Sequence, residues 1–339
     1  MADFRITSSR RGTEPVVIVS APDDSTRLVI AHRGATLLSW QVARGGALVE
    51  LTDGYRDDAE LLGQNGVRNG VLAPFGNRIA AARYRFEGRS YDLRADQEPD
   101  GTVLHGFARR AVFQLAEATA HADGAKLCLR TAQIRPGRHS GYPFAIDLQV
   151  TFLIGAATIE MEIQATNVGA EPAPHTAGWH PYFRLADTID ELTLQIPADT
   201  LIRTDAALIP LNGDQARFPL DQCSSMDFRQ PRSVGAAVID ACFADLSVGP
   251  TGRAETVLRN PGTGEELRVW QETGLMHVFT GDTLARDRRR SIALEPVEAM
   301  TNAFNRDELA AAVRLEPGRQ RRFRFGVGYT RSNNPPIIS

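Results

Sequence analysis

A period of two in the apolar residues most limits what this chain can become, because successive side chains of a strand point to opposite faces. Phe144, Ile146, Leu148, Val150 and Phe152 alternate with Ala145, Asp147, Gln149 and Thr151. After Gly155-Ala156-Ala157 the alternation resumes as Ile159, Met161 and Ile163 against Glu160, Glu162 and Gln164, which predicts a long hairpin with one wet face. Further hairpins are predicted at Tyr84 to Leu93 around Glu87-Gly88, at Leu115 to Arg130 around Asp123-Gly124, and at Val257 to Trp270 around Asn260-Pro261-Gly262. Near the end, Phe323, Phe325, Val327 and Tyr329 alternate with Arg322, Arg324, Gly326 and Gly328. Helical patterns are short by comparison; the best, Asp307 to Val313, lasts barely two turns. Many strands at short spacing predict an all-β fold, an antiparallel sandwich or barrel, and not a parallel α/β sheet.

No repeat, low-complexity tract or long linker divides the 339 residues. One domain over residues 1–332 is therefore expected, with the Pro-rich residues 333–339 as a loose tail. A formal net charge of -3 leaves no basic field for a polyphosphate partner, so nucleic acid is excluded as the main partner. Lys126 is the only lysine and sits between Ala125 and Leu127, which removes a phosphate loop ending in Gly-Lys. The three cysteines, Cys128, Cys223 and Cys242, form no CxxC pair and indicate neither a zinc ribbon nor a disulfide framework. With no apolar signal core at the start and no membrane-length apolar run, the expectation is a soluble, cytoplasmic protein without a membrane partner.

The seven histidines are few enough to weigh singly. His32, His121 and His139 read most simply as solvated surface residues, and His175 and His277 as structural. No HxH or HExxH spacing supports a metal site. His105 stands where a strand runs into Gly106, a position at which backbone can approach a ligand closely. His180 precedes Pro181, which pushes its backbone toward extended geometry and suits a rigid proton donor. In Ile292-Ala293-Leu294-Glu295-Pro296 the alternation sets Glu295 on the face opposite Ile292 and Leu294, a place for a general base. Asp240 lies in apolar sequence, where an acid needs a partner. Asn77-Arg78 offers an amide and a guanidinium fork beside a turn, donors suited to hydroxyls or a carboxylate. Taken alone, each of these is as readily packing or a surface ion pair.

Their order is more specific. Asn77-Arg78-Ile79, Leu104-His105-Gly106, Gly141-Tyr142-Pro143-Phe144, His180-Pro181-Tyr182-Phe183, the isolated Asp240, Val278-Phe279-Thr280-Gly281, Leu294-Glu295-Pro296 and Thr301-Asn302-Ala303-Phe304 follow one another as in aldose 1-epimerases. From about Asn69 to Asn305 the sequence resembles the galactose mutarotase superfamily. The resemblance implies a large antiparallel β-sandwich of the galactose mutarotase-like supersandwich type, a sugar as the small-molecule partner, no cofactor and no metal, and a monomer or homodimer.

By position, the resemblance implies that His180 is a general acid, Glu295 a general base and His105 an assistant at the ring oxygen, with Asn77, Arg78 and Asp240 holding hydroxyls. Opening a cyclic hemiacetal fits these residue types, since one proton leaves the anomeric hydroxyl while another reaches the ring oxygen. An ionised Glu295 would keep His180 protonated near neutral pH, against desolvation. The expected function is interconversion of the anomers of a free hexose. Phe107 after His105-Gly106 looks closer to hexose-phosphate 1-epimerases, so an anionic hexose is the alternative, with Arg83, Arg109 or Arg184 as clamps. A non-catalytic carbohydrate-binding sandwich and a metal-dependent cupin-like isomerase are the remaining readings.

Overall fold

The structure, a computed structural model, describes residues 2–98 and 101–332. The expected tail at 333–339 lies outside the described residues. Nine strands form the largest sheet, in the order Arg232–Ser233, Thr193–Gln195, Ala254–Asn260, Glu265–Gln271, Gln320–Arg331, Thr158–Asn167, Ile146–Ile154, Ala125–Ile134 and Gln114–Ala120. All its pairings are antiparallel. The hairpin expected around Gly155 pairs Val150 with Ile163 and Phe152 with Met161. Those side chains share one buried face, while Gln149, Thr151, Glu160 and Glu162 occupy the other. The period-two pattern is thus the record of one dry and one wet face.

A second sheet runs Arg217–Pro219, Ala198–Ile202, Asp240–Leu246, Leu275–Phe279, Ile292–Val297, Gly178–Trp179 and Val71–Leu72, with Tyr182–Phe183 also paired to Ile292–Val297. Its inner side chains, among them Phe243, Val278, Ile292 and Leu294, join Phe323, Phe325, Val327 and Leu267 of the nine-stranded sheet in one apolar cluster. Trp179 stacks on Phe325 with ring centroids 5.6 Å apart, tying the two sheets together. The fold is a large antiparallel β-sandwich. A five-stranded meander, from Arg5–Arg11 to Ala47–Glu50, lies at the N-terminal end. Asp307–Leu309 is a turn of 3₁₀ helix running into the short helix Ala310–Val313, close to the best of the helical expectations, and Asp58–Gly63 forms a further short helix.

The two sheets differ on their outward faces. Opposite Ile292 and Leu294, the residues Ala293 and Glu295 are buried as well, because loops roof the second sheet. That roof turns a sheet face into a cavity.

Candidate active site

Three adjacent strands supply the cavity floor. Asp240 and Cys242, His277 and Phe279, and Ala293 and Glu295 fall on one face, since Cys242 is directly opposite His277, Phe279 opposite Asp240 and Ala293, and His277 opposite Glu295. With a period of two these six positions must point the same way. The remaining groups arrive from loops. Together they line a cavity of about 510 Å³ that holds Asn77, Arg78, His105, His180, Asp240, His277 and Glu295 along with Arg109 and Tyr182. All six residues singled out in the sequence for catalysis or substrate binding therefore meet in one place.

His180 is fixed on several sides. Its backbone N–H donates to the Gly70 carbonyl at 3.1 Å, and its carbonyl accepts from Asn69 at 2.9 Å. The imidazole stacks on Tyr182 at 5.0 Å and meets His105 edge-on at 5.2 Å. Tyr182 is itself anchored, its hydroxyl donating to the Gly66 carbonyl and its backbone N–H to Asn69 Oδ1. Nε2 of His180 lies 3.3 Å from Oε1 of Glu295.

His105 adopts a left-handed backbone, φ +61°, stabilised by mutual contact with Asn77. The His105 N–H donates to the Asn77 carbonyl at 2.9 Å, and the Asn77 N–H donates to Nδ1 of His105 at 3.1 Å. With Nδ1 accepting, the neutral ring carries its proton on Nε2. Next in sequence, Gly106 has φ +64°, and a Cβ there would stand 2.2 Å from the Ala73 carbonyl oxygen, so the turn requires glycine. Arg78 donates to Asn77 Oδ1 at 3.0 Å, while Asn302 donates its N–H to the Arg78 carbonyl. The Thr301-Asn302-Ala303-Phe304 motif thus supports the arginine segment from behind.

Burial dominates the electrostatics. The Glu295 side chain is 2% exposed and that of His180 7%. Desolvation, reinforced by the negative charge of Asp240 and opposed by His277 and Arg78, pushes Glu295 up to about 8. Desolvation, with His277 adding to it, pushes His180 down to about 3. His105 falls well below its ordinary range through burial and the neighbouring His180, Arg109, Arg78 and His277. The sequence expectation of a protonated His180 beside an ionised Glu295 is corrected here. Although 3.3 Å suits an ion pair, burial of both groups opposes separate charges and favours the form with the proton on the carboxyl.

Asp240 has the partner its apolar context demanded. Its Oδ1 is 2.9 Å from Nε2 of His277, which holds the carboxyl below its usual range despite burial. His277 is the residue that reading along the chain missed. It looked structural because Met276 and Val278 flank it, but those neighbours face the core and His277 faces the cavity. Its alternation with them was the available signal. His139 is also not a solvated residue. It stacks on Phe107 at 3.6 Å between centroids and pairs with Asp96 at 2.8 Å. His32 is half-buried, and His175 is fully buried as expected of a structural residue.

Of the three candidate anion clamps, only Arg109 lines the cavity, and its guanidinium is taken by Glu98. Arg83 pairs with Asp92 at the surface and Arg184 faces other clefts. Among the described residues no group of three or more His, Cys, Asp or Glu side chains is arranged to hold a metal ion, and no helix is long and apolar enough to cross a membrane.

The site is thus a roofed pocket of imidazoles, carboxyls and two guanidiniums, those of Arg78 and Arg109, on one face of a β-sandwich. The aldose 1-epimerase family profile matches residues 17–327, and the chain belongs to that family. It is 28% identical over 259 residues to the uncharacterized protein YihR of Escherichia coli (strain K12), covering 76% of this chain and 77% of that protein. With galactose mutarotase of Homo sapiens the identity is 27% over 222 residues, or 64% of this chain and 61% of the human protein. The crystal structure of galactose 1-epimerase from Lactobacillus acidophilus NCFM superposes with a TM-score of 0.80 at 14% identity, covering 97% and 99% of the two chains, a likeness of fold.

Proposed function

We propose that this protein interconverts the α and β anomers of a free, uncharged aldohexose. The observation that carries the reading is the 3.3 Å approach of Glu295 and His180 inside a cavity also lined by Asn77, Arg78, His105 and Asp240. Arg78, Asn77 and Asp240 offer donors and an acceptor for ring hydroxyls, which holds the pyranose against the two proton-handling groups.

Opening the ring takes a proton from the anomeric hydroxyl, delivers one to the ring oxygen and breaks the bond between that oxygen and the anomeric carbon. The aldehyde turns about the bond to its neighbouring carbon. Reclosure by the same hydroxyl on the other carbonyl face then returns both protons. One acceptor and one donor are needed at every moment, so the working Glu295–His180 pair carries one proton between them. In ring opening Glu295 is the base and His180 the acid; reclosure runs the same transfers backward, starting with the proton on Glu295, which is the form burial favours. The direct contact lets the proton that burial favours on Glu295 pass to His180 before ring opening. His105, with its proton on Nε2 and its ring against His180, supports the ring-oxygen side.

An uncharged hexose is favoured over an anionic one because the Arg109 charge is neutralised by Glu98 and the other candidate clamps lie elsewhere. Anomer-exchange NMR with glucose, galactose and glucose 6-phosphate tests both points. Exchange of the neutral sugars well above the uncatalysed rate is expected; exchange of the phosphate alone overturns the substrate class, and binding without exchange overturns the activity.

A further inference from the structure

Resting on that reading, we infer that His277 is a positioning residue of the reaction: its ring, on the central strand of the floor between Asp240 and Glu295, orients Asp240 toward the sugar and acts on the Glu295–His180 pair beside it. The placement is topological. Leu275–Phe279 lies between Asp240–Leu246 and Ile292–Val297, and the three strands send Asp240 with Cys242, His277 and Glu295 to the same face. His277 is directly opposite Glu295 on one side and Cys242 on the other, and its Nε2 reaches Asp240 at 2.9 Å. A ring in this position meets a carboxyl on each flanking strand.

The charged groups around it agree on the outcome. Burial alone would discharge the ring, but Glu295, Asp240 and the Cys242 thiol, which accepts a ring N–H, override it and hold His277 well above the ordinary histidine range. His180, His105, Arg78 and Arg109, the last paired with Glu98, are the charged or chargeable groups on the loop side of the cavity. The His277 charge lowers both Glu295 and His180, so it sets the pH window in which their pair holds one proton. It also spends one oxygen of Asp240, leaving the other to accept from the sugar in a fixed direction.

Two variants separate these roles. His277→Gln keeps an amide donor for Asp240 and removes the charge; His277→Leu removes both. Anomer exchange is followed by NMR as a function of pH, with melting temperatures, and with carbon-13 titration of the glutamate carboxyls, Glu295 assigned by difference with Glu295→Gln. For His277→Gln we expect KM close to the unaltered protein while both limbs of the kcat profile move upward by about one pH unit or more, because loss of a neighbouring cation raises every nearby pKa. The Glu295 carboxyl signal should move in the same direction. For His277→Leu, KM should also rise about tenfold or more, as Asp240 loses its partner. An unaltered protein that exchanges anomers while His277→Gln shifts neither the profile nor the carboxyl signal overturns this role alone. An unaltered protein without exchange overturns the proposed function and this role with it.

Discussion

The two faces of the sandwich use the same alternation to opposite ends. In the nine-stranded sheet, long strands such as Thr158–Asn167 put apolar side chains on the core and charged ones in water, so each residue type sits where solvation favours it. In the second sheet, Leu275–Phe279 and Ile292–Val297 also send Val278, Ile292 and Leu294 to the core, but their other face carries His277 and Glu295 under a roof of loops. Nine-tenths buried titratable groups are costly there, and the cost appears as Glu295 pushed up and His180 pushed down. The first sheet is built for stability. The second carries strained protonation that a reaction can use.

This contrast can be tested from both sides. The largest effect is expected from Glu295→Gln and His180→Asn, each lowering anomer-exchange kcat by about 10²- to 10⁴-fold with the melting temperature kept or raised; turnover near that of the unaltered protein would break the contrast. Next, Phe152→Ala, which empties a fully buried position of the nine-stranded sheet, should cost about 3–5 kcal/mol by denaturant unfolding and leave kcat per folded molecule intact.

The third effect depends on pH. A carboxyl whose folded pKa is raised favours the folded state only while protonated, so the unaltered protein should lose stability as pH rises from the ordinary glutamate range through about 8. Glu295→Gln lacks this loss, and its melting temperature should gain on the unaltered protein across that window. Over the same rise, kcat of the unaltered protein should fall as the Glu295–His180 pair gives up its one proton. Parallel melting curves at pH 5 and pH 9 would remove the assignment. The smallest effect is expected for Arg322→Ala on the wet face, where an exposed side chain donates to Gln164; a change above about 0.5 kcal/mol in unfolding would be unexpected.

Much of this was legible from particular residues. The hairpins around Gly155, Gly88, Gly124 and Gly262 could be read because a strand with one wet face writes its orientation directly into alternate positions. The motif order gave His105, His180, Asp240 and Glu295, and they share one cavity. His277 was lost because a single strand says that a residue faces away from the core without saying what lies on that side. The charge state of His180 escapes the sequence for a related reason, since its motif suggests proximity to Glu295 but carries no measure of how deeply both are buried.

The sequence by itself determined which side chains alternate, where the chain turns and which residue types stand ready to move protons, because these are local properties of backbone geometry and chemistry. Only the tertiary structure decided that Asp240, His277 and Glu295 stand on three neighbouring strands, with His180 against them beneath the same roof. Desolvation and charge coupling depend on distances between segments far apart in the chain, and those distances exist only once the strands have paired.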